Sequence, residues 1–229
     1  MNIREKRAAF EKNAKIYESG LLNFHGVDGF DVYNCSIPFL FQGKEYMFGR
    51  IERRSEWARS WVGLFQKIDQ QNYQKVGDTL YTLEDPCVQK IGDEFIMEGT
   101  HVKKRANEKI ESFFAYFHRG TDIHDLHYFA TGPDNMKDVR LVPLQDGRIG
   151  VFSRPRGEAV LKKYGSEAVI GFGIIDSLDQ LTEERIENAR VIDGLFDQNE
   201  WGGCNQCYAL RDGRIGVIGH QSYFDKRDG

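Results

Sequence analysis

The stretch Leu144-Gln-Asp-Gly-Arg-Ile-Gly-Val-Phe-Ser-Arg154 decides the fold, because its centre occurs twice in the chain. Asp146-Gly-Arg-Ile-Gly-Val151 returns letter for letter as Asp212-Gly-Arg-Ile-Gly-Val217. An Asp-Gly pair between two apolar runs predicts a β-hairpin, since such a turn requires a positive φ. Looser copies lie around Gly43 and Gly92, so the four turn glycines are separated by 49, 55 and 66 residues. A repeated antiparallel unit of roughly 50 residues predicts a β-propeller.

The composition suits a β protein and excludes two kinds of partner. The 16 Phe and 10 Tyr favour strands, and the 24 Gly supply turns. The net charge is −4 and no basic stripe is visible, so we expect no nucleic-acid partner. No apolar run reaches the roughly 20 residues of a membrane span, and the charged N-terminus lacks a secretion signal. We therefore expect a cytoplasmic protein with free thiols and no membrane partner.

The repeat divides the chain into units of one domain. We expect a single β-propeller domain over residues 1–229, with an arm or short helix at the N-terminus and a helix capped by Thr182. The last unit is short and should lack its outer strands, which leaves strand edges that favour a homo-oligomer. The predicted segments are the arm at 1–22 and blades at roughly 31–82, 83–135, 136–198 and, in part, 199–229.

Polar residues gather at the open end of each predicted hairpin, away from the turn. In an antiparallel hairpin, residues equidistant from the turn face each other. The pairs that this rule predicts are Ser36 with Arg50, Asp85 with Gly99, Asp138 with Arg154, and Asn205 with His220.

In a propeller, the first strand of each hairpin lines the axis, so the polar ends would meet at one mouth of a central funnel. Strand ends are also polar simply because they reach water, but the coincidence across four units favours a shared site. The residues placed in this site are Asn34, Arg50, Glu52, Asp85, Lys137, Asp138, Arg154, Glu200, Asn205 and His220.

Five short runs carry a resemblance to a known family: Asp31-Val-Tyr-Asn-Cys-Ser36, Phe48-Gly-Arg-Ile-Glu-Arg53, Lys137-Asp-Val-Arg-Leu141, Gly150-Val-Phe-Ser-Arg-Pro155 and Glu200-Trp-Gly-Gly-Cys-Asn205. These runs make the chain similar to an uncharacterised family, domain of unknown function 1861, from about Leu22 onward. That family resembles a branch of the five-bladed propellers that include β-mannoside phosphorylases, arabinanases and levansucrases. The resemblance implies an all-β fold of the five-bladed type, here incomplete with about four blades.

The resemblance to the phosphorylases also implies roles for single residues. Glu84-Asp85-Pro86 is similar to their Glu-Asp-Pro-Arg motif, which implies that Asp85 is a general acid. Gly49-Arg50-Ile-Glu52 resembles a motif whose Arg helps to hold phosphate, and Ile218-Gly219-His220 resembles one whose His meets phosphate. Further similar runs are Lys137-Asp138 and Ser153-Arg154-Pro155.

Two departures leave the nucleophile open between phosphate and water. Cys87 stands where the phosphorylases carry an Arg, and Ser153 stands where they carry a His. The phosphate-binding set is therefore only partly present.

We expect an enzyme that cleaves a glycosidic bond with inversion, by hydrolysis or phosphorolysis. Asp85 would be the acid, and the partner would be a small carbohydrate, with phosphate as a second ligand. We expect no cofactor and no metal. The residues expected to bind an anion or sugar are Asn34, Arg50, Glu52, Lys137, Asp138, Arg154, Asn205 and His220, with Tyr33 and Trp201 as stacking platforms.

Two alternatives remain at this stage. One is a non-catalytic glycan-binding propeller, in which a salt bridge would lock the Asp85 carboxylate. The other is a truncated, inactive scaffold.

Cys204 and Cys207 have the spacing of half a zinc site, but one pair supplies too few ligands. Because three positions separate them along a strand, side-chain alternation predicts that they face opposite ways.

Overall fold

The computed structural model describes residues 2–56 and 59–223 and shows a mostly β protein with few helices. This confirms the predicted β class. A 3-10 turn at Leu178–Gln180 precedes the third helix. In chain order the elements are α1 (Ile3–Asn13), β1 (Asn23–His25), β2 (Asp31–Tyr33), β3 (Phe39–Phe41), β4 (Lys44–Glu52), β5 (Ser60–Lys67), β6 (Asn72–Tyr81), β7 (Glu84–Ile91), β8 (Glu94–Lys104), β9 (Ile110–Gly120), β10 (His127–Thr131), β11 (Arg140–Pro143), β12 (Ile149–Ser153), α2 (Glu158–Tyr164), β13 (Gly171–Ile175), α3 (Glu183–Glu187), β14 (Arg190–Val191), β15 (Glu200–Ala209) and β16 (Ile215–Tyr223).

The strands form successive sheets along the chain. The first has the order β1-β6-β5-β4-β2, with β3 also paired to β4, and the second has the order β10-β9-β8-β7. The third has the order β11-β12-β13-β14, and β15 pairs with β16. Pairing is antiparallel except between β1 and β6. Neighbouring sheets meet through β4, β7, β11 and β15, which places these strands around a common centre.

The two copies of the repeat form equivalent hairpin turns. Gly147 and Gly213 have φ of 85° and 84°. An Asp Oδ1 in each turn accepts a hydrogen bond of 3.1 Å from the backbone N–H two residues on, at Arg148 and at Arg214. Glycine suits this left-handed conformation because it has no Cβ to meet the neighbouring carbonyl. The hairpins β11–β12 and β15–β16 confirm the predicted turns.

Apolar clusters between the sheets hold them together. Phe48 of the first sheet and Met97 of the second are fully buried in one cluster, and Phe117 packs with Val139 in the next. Burying one such side chain contributes about 1.5–3 kcal/mol. Their burial therefore stabilises the contacts between successive sheets.

The N-terminal arm contains α1, which packs on β16. The backbone N–H of Ile3 donates to Glu200 Oε1 at 2.7 Å, and Lys6 Nζ donates to Gln221 Oε1 at 3.0 Å. Glu200 therefore anchors α1, and its predicted place in the funnel is wrong. None of the helices within residues 2–56 and 59–223 combines the length and the apolar composition needed to cross a membrane.

The predicted pairing of Ser36 with Arg50 is also wrong. Arg50 lies opposite Tyr33, and the backbone N–H of Ser36 donates to Phe48 O at 2.8 Å. Residues 34–38 leave the ladder between β2 and β3, beginning at Asn34 with a φ of 45°. Counting residues outward from the turn at Gly43 therefore predicts the wrong partner for Arg50, because the irregular residues 34–38 shift the pairing of β2 with β4.

Cys204 and Cys207 do not face opposite ways. A bulge at Asn205 interrupts the pairing of β15 with β16, because Cys204 lies opposite Gly219 and Gln206 lies opposite Ile218. The extra residue reverses the alternation beyond it. Both cysteines are therefore buried, and both belong to the same apolar cluster.

Candidate active site

A cavity of about 510 Å³ lies where the polar strand ends converge. Arg50 and Glu52 do not line this cavity, although the sequence placed them there. Trp201 does line it, and so do Arg140, Arg156 and Gln206, which were not predicted. Seven of the ten residues that the sequence placed in the funnel line it, Glu200 being the third that does not: Asn34, Asp85, Lys137, Asp138, Arg154, Asn205 and His220.

Three of these residues have left-handed backbones. The φ angles are 45° at Asn34, 50° at Asp85 and 59° at Asp138. Asn and Asp tolerate this region better than other residues with a Cβ, since their short polar side chains can bond locally. Such strained positions cluster at functional sites. They therefore mark this cavity as the candidate site independently of its polarity.

Asp85 lies at a bulge opposite Gly99, where the register of β7 against β8 shifts. Its Oδ1 accepts hydrogen bonds from Asn34 Nδ2 at 2.8 Å and from Arg50 Nη1 at 3.0 Å. Its Oδ2 lies 3.7 Å from Lys137 Nζ. The side chain keeps 20% of its surface exposed, so it can still be reached from the cavity.

Arg50 is buried behind the cavity wall, where it holds the Asp85 carboxylate and contacts two further carboxyl groups. Its Nη2 lies 3.2 Å from Glu84 Oε1 and donates to Glu52, which Ser60 also contacts. Burial alone would raise the pKa of Glu52, but the hydrogen bonds from Ser60 and Arg50 outweigh it and lower that pKa. Burial raises the pKa of Glu84, which has fewer compensating contacts.

Tyr33 is not placed to stack on a sugar. The guanidinium of Arg50 lies 5.0 Å from its ring centroid, and that of Arg54 lies 4.0 Å from it. These cation–π contacts occupy the aromatic surface. Trp201 is therefore the predicted platform that reaches the cavity.

Five residues form a closed polar ring on the other side of the cavity. Asp138 bridges two guanidinium groups, with Oδ1 3.3 Å from Arg140 Nη2 and Oδ2 in contact with Arg154 Nη1. Arg154 Nη2 lies 3.4 Å from His220 Nε2. The ring closes through Asn205, whose Oδ1 lies 2.8 Å from His220 Nδ1 and whose backbone oxygen accepts from Arg140 Nε at 3.0 Å.

The ring fixes the charge and tautomer of His220. A guanidinium can only donate, so Nε2 accepts from Arg154 and the proton resides on Nδ1, which donates to Asn205. Burial lowers the pKa of His220, and the positive charge of Arg154 lowers it further. Burial opposes ionisation of Asp138, but Arg140 and Arg154 keep its pKa below its ordinary value. His220 therefore lines the cavity as a neutral imidazole.

The sequence interpretation missed Arg140, which belongs to the ring, and Glu98, with which Arg140 forms a buried ion pair. Burial raises the pKa of Glu98 to about 8, and Arg140 opposes that rise. Arg140 sits inside the apolar run Val139-Arg-Leu-Val142. A charge within a predicted buried strand requires a partner, and that signal could have found the pair.

Arg156 at the rim was also missed. Its guanidinium lies 5.3 Å from the ring centroid of Phe113. Among the described residues it has no carboxylate partner, whereas Arg140 and Arg154 are both committed to ion pairs. The cavity thus combines one reachable carboxylate with cations able to hold an anion. No three His, Cys, Asp or Glu side chains within residues 2–56 and 59–223 are grouped to hold a metal ion.

Comparison with solved structures finds two similar proteins, a mannose phosphorylase and a mannosyltransferase. MPT-4, a mannose phosphorylase from Leishmania mexicana in complex with a phosphate ion, is 47% identical, with a TM-score of 0.90 over 99% of this chain and 69% of that one. MPT-1, a GDP-Man-dependent mannosyltransferase from Leishmania mexicana, is 44% identical, with a TM-score of 0.88 over 98% of this chain and 68% of that one. These relatives support carbohydrate chemistry at the level of the family.

A more distant likeness concerns the fold alone. Zg3597, a family 117 glycoside hydrolase from Zobellia galactanivorans, is 9% identical, with a TM-score of 0.60 over 90% of this chain and 67% of that one. Glycosidases of this kind are β-propellers, which confirms the predicted propeller architecture. No curated protein matches the sequence.

The family comparison agrees with the motifs from which the sequence interpretation began. The family described as "Protein of unknown function (DUF1861)" matches residues 8–229. The chain belongs to this family.

Proposed function

We propose that the chain cleaves a mannoside by phosphorolysis, with inversion, in the funnel of a propeller of the five-bladed type. The observation that carries the proposal is the cavity itself, in which Asp85 shares one space with Lys137, Arg156 and His220. The 47% identity to a mannose phosphorylase supports mannose as the sugar and phosphate as the nucleophile.

In this reaction one phosphate oxygen attacks the anomeric carbon as the glycosidic C–O bond breaks. Asp85 gives its proton to the departing oxygen, which leaves as a hydroxyl group. The products are mannose 1-phosphate and the shortened sugar. Attack on the face opposite the leaving group inverts the anomeric centre.

The anion site differs from the sequence interpretation in two respects. Arg50 already faces three carboxyl groups and does not line the cavity, so it orients Asp85, and Arg156 replaces it as a phosphate ligand together with Lys137. Neutral His220 donates through Nδ1 to Asn205 and accepts through Nε2 from Arg154, so it orients Arg154 at the cavity wall and has no N–H left for the anion. Trp201 offers an apolar face for a sugar ring.

The test is incubation with manno-oligosaccharides in the presence and absence of inorganic phosphate. We expect mannose 1-phosphate only when phosphate is present, and a loss of about 10²–10⁴-fold in Asp85→Asn, since a positioned acid contributes that much. Asp146→Asn, in a turn away from the cavity, is the matched control. Release of mannose without phosphate would indicate hydrolysis instead. A third arm supplies GDP-mannose and an acceptor, because MPT-1 is 44% identical.

A non-catalytic glycan-binding protein is the second candidate. The observation that favours it is the set of contacts on Asp85, whose Oδ1 accepts from both Asn34 and Arg50. Manno-oligosaccharide binding without turnover in any arm, and undiminished in Asp85→Asn, would establish this function in place of the enzyme.

A further inference from the structure

The carboxyl groups around Arg50 outnumber the cations that balance them. Glu52 and Glu84 face Nη2 of Arg50, and Asp85 faces Nη1. Lys137 near Asp85 is the second cation. The charged groups that act on Glu84 from β4, from β7 and from the segment before β11 are Arg50, Glu52, Asp85 and Lys137. Three acids and two bases leave one carboxyl group without a balancing charge.

The contacts indicate which acid keeps a proton. Glu52 is bonded by Ser60 and twice by Arg50, and Asp85 is bonded by Asn34 and Arg50. Glu84 Oε1 lies 3.2 Å from Arg50 Nη2, but this buried oxygen accepts no hydrogen bond. Only 12% of the Glu84 side chain is exposed. Burial without hydrogen bonds favours the neutral form. The surplus proton therefore belongs on Glu84 while Lys137 faces Asp85.

We propose that Glu84 is a positioning residue that stores the proton delivered by Asp85, and that phosphate binding at Lys137 releases it. The inference rests on the proposed function, in which Asp85 is the acid. Neighbouring carboxyl groups titrate as a pair, so a change of charge near one shifts the proton between them.

The step conserves protons. Phosphate attracts the Lys137 ammonium away from Asp85 Oδ2, which lowers the positive charge that favours the Asp85 carboxylate. The proton leaves Glu84 and arrives on Asp85, and Glu84 becomes a carboxylate facing Arg50. Asp85 then passes the proton to the departing oxygen. The attacking hydrogen phosphate loses one proton to solvent when it becomes the phosphate ester, and the cluster takes up one proton from solvent before the next turnover, so the cycle balances.

The experiment compares pH–rate profiles for phosphate-dependent cleavage in two variants that should shift in opposite directions. Glu84→Gln removes the negative charge that favours the protonated form of Asp85. We expect kcat at pH 7 to fall about tenfold and the alkaline limb to move about one unit to lower pH. Lys137→Met removes the cation that favours the carboxylate, so the limb should move to higher pH while the KM for phosphate rises.

Glu84→Asp keeps the carboxyl group and should restore the wild-type limb, which a purely structural role would not predict. Thermal unfolding of each variant identifies any that fail to fold. If the Glu84 variants do not fold, the pH–rate profile of Lys137→Met tests the proton store by itself. Profiles of both variants that superimpose on the wild type would overturn the proton store while leaving phosphorolysis intact. Absence of phosphate-dependent turnover in the wild type would instead refute the proposed function.

Discussion

Asn205 and His220 hold each other across the bulge of β15, with Asn205 Oδ1 2.8 Å from His220 Nδ1. The contact keeps the imidazole in a single tautomer, with Nε2 toward Arg154. The bulge at Asn205 therefore has two effects. It places Cys204 and Cys207 on the same face of β15, and it brings the Asn205 side chain to His220 in the cavity wall.

Asn205→Ala should raise the KM for phosphate about tenfold with little effect on kcat, because His220 loses the partner that fixes its tautomer and no longer orients Arg154 at the cavity wall. Asn205→Asp should add a negative charge beside the imidazole and favour its charged form. Its KM for phosphate should then vary more strongly between pH 6 and 8 than that of the wild type. Steady-state kinetics across pH measure both. Equal KM in all three proteins would contradict a role for His220 in orienting the cations of the anion site.

Arg156→Ala should weaken phosphate binding about 10–100-fold, because a hydrogen bond between charged groups is worth about 1.5–3 kcal/mol. Isothermal titration with inorganic phosphate measures the change. Arg148→Ala is the matched control, since Arg148 is exposed and paired with Asp146 in a turn away from the cavity. Similar phosphate affinity in the two variants would show that Arg156 does not touch the anion.

Glu98→Ala should lower the free energy of unfolding by about 3–5 kcal/mol, because it leaves the buried Arg140 without its main partner. Glu108→Ala removes an exposed partner of Arg59 and should cost less than about 1 kcal/mol. Denaturant titration of both variants provides the comparison. A small loss in Glu98→Ala would mean that Asp138 alone suffices to balance Arg140.

His118 should make stability depend on pH. Burial lowers its pKa to about 4 from an ordinary 6.5, so the unfolded chain binds more protons between these values. The free energy of unfolding should therefore fall as pH drops through this window, by about 2 kcal/mol after allowing for partial exposure. His118→Phe should lose this dependence, whereas exposed His25→Gln should keep it. Parallel pH curves for the wild type and His118→Phe would disprove the assignment.

Regular hairpins made much of the site predictable. Counting from the turn at Asp146 correctly brings Asp138 to Arg154, and the two side chains contact each other just beyond the paired residues of β11 and β12. The same reasoning correctly places Asn205 beside His220, whereas Asp85 lies where the register of β7 against β8 shifts, between the pairs Glu84 with Thr100 and Cys87 with Glu98. In each case the counting began at a tight turn whose geometry glycine fixes.

Irregular segments account for what the sequence could not predict. Two irregularities change the strand register: the departure from the ladder at residues 34–38 and the bulge at Asn205. The amino-acid composition of these segments does not predict either one. The strand β6 (Asn72–Tyr81) was not predicted, because its burial pattern alternates poorly and much of its surface is exposed. Arg50 and Glu52 are buried and do not line the cavity. Their burial depends on how neighbouring sheets pack, and the alternation of apolar and polar residues along one strand does not predict that packing.

The left-handed backbone conformations at Asn34, Asp85 and Asp138 restrict which amino acids these three positions tolerate. Such a position accepts Asn, Asp or Gly readily, and costs roughly 1–2 kcal/mol for most other residues. An acid one methylene longer, as in Asp85→Glu, would thus meet a conformational penalty before its reach could matter. The main chain itself limits the acid to a short side chain, and Asp85→Asn removes the acid while keeping a residue that this backbone accepts.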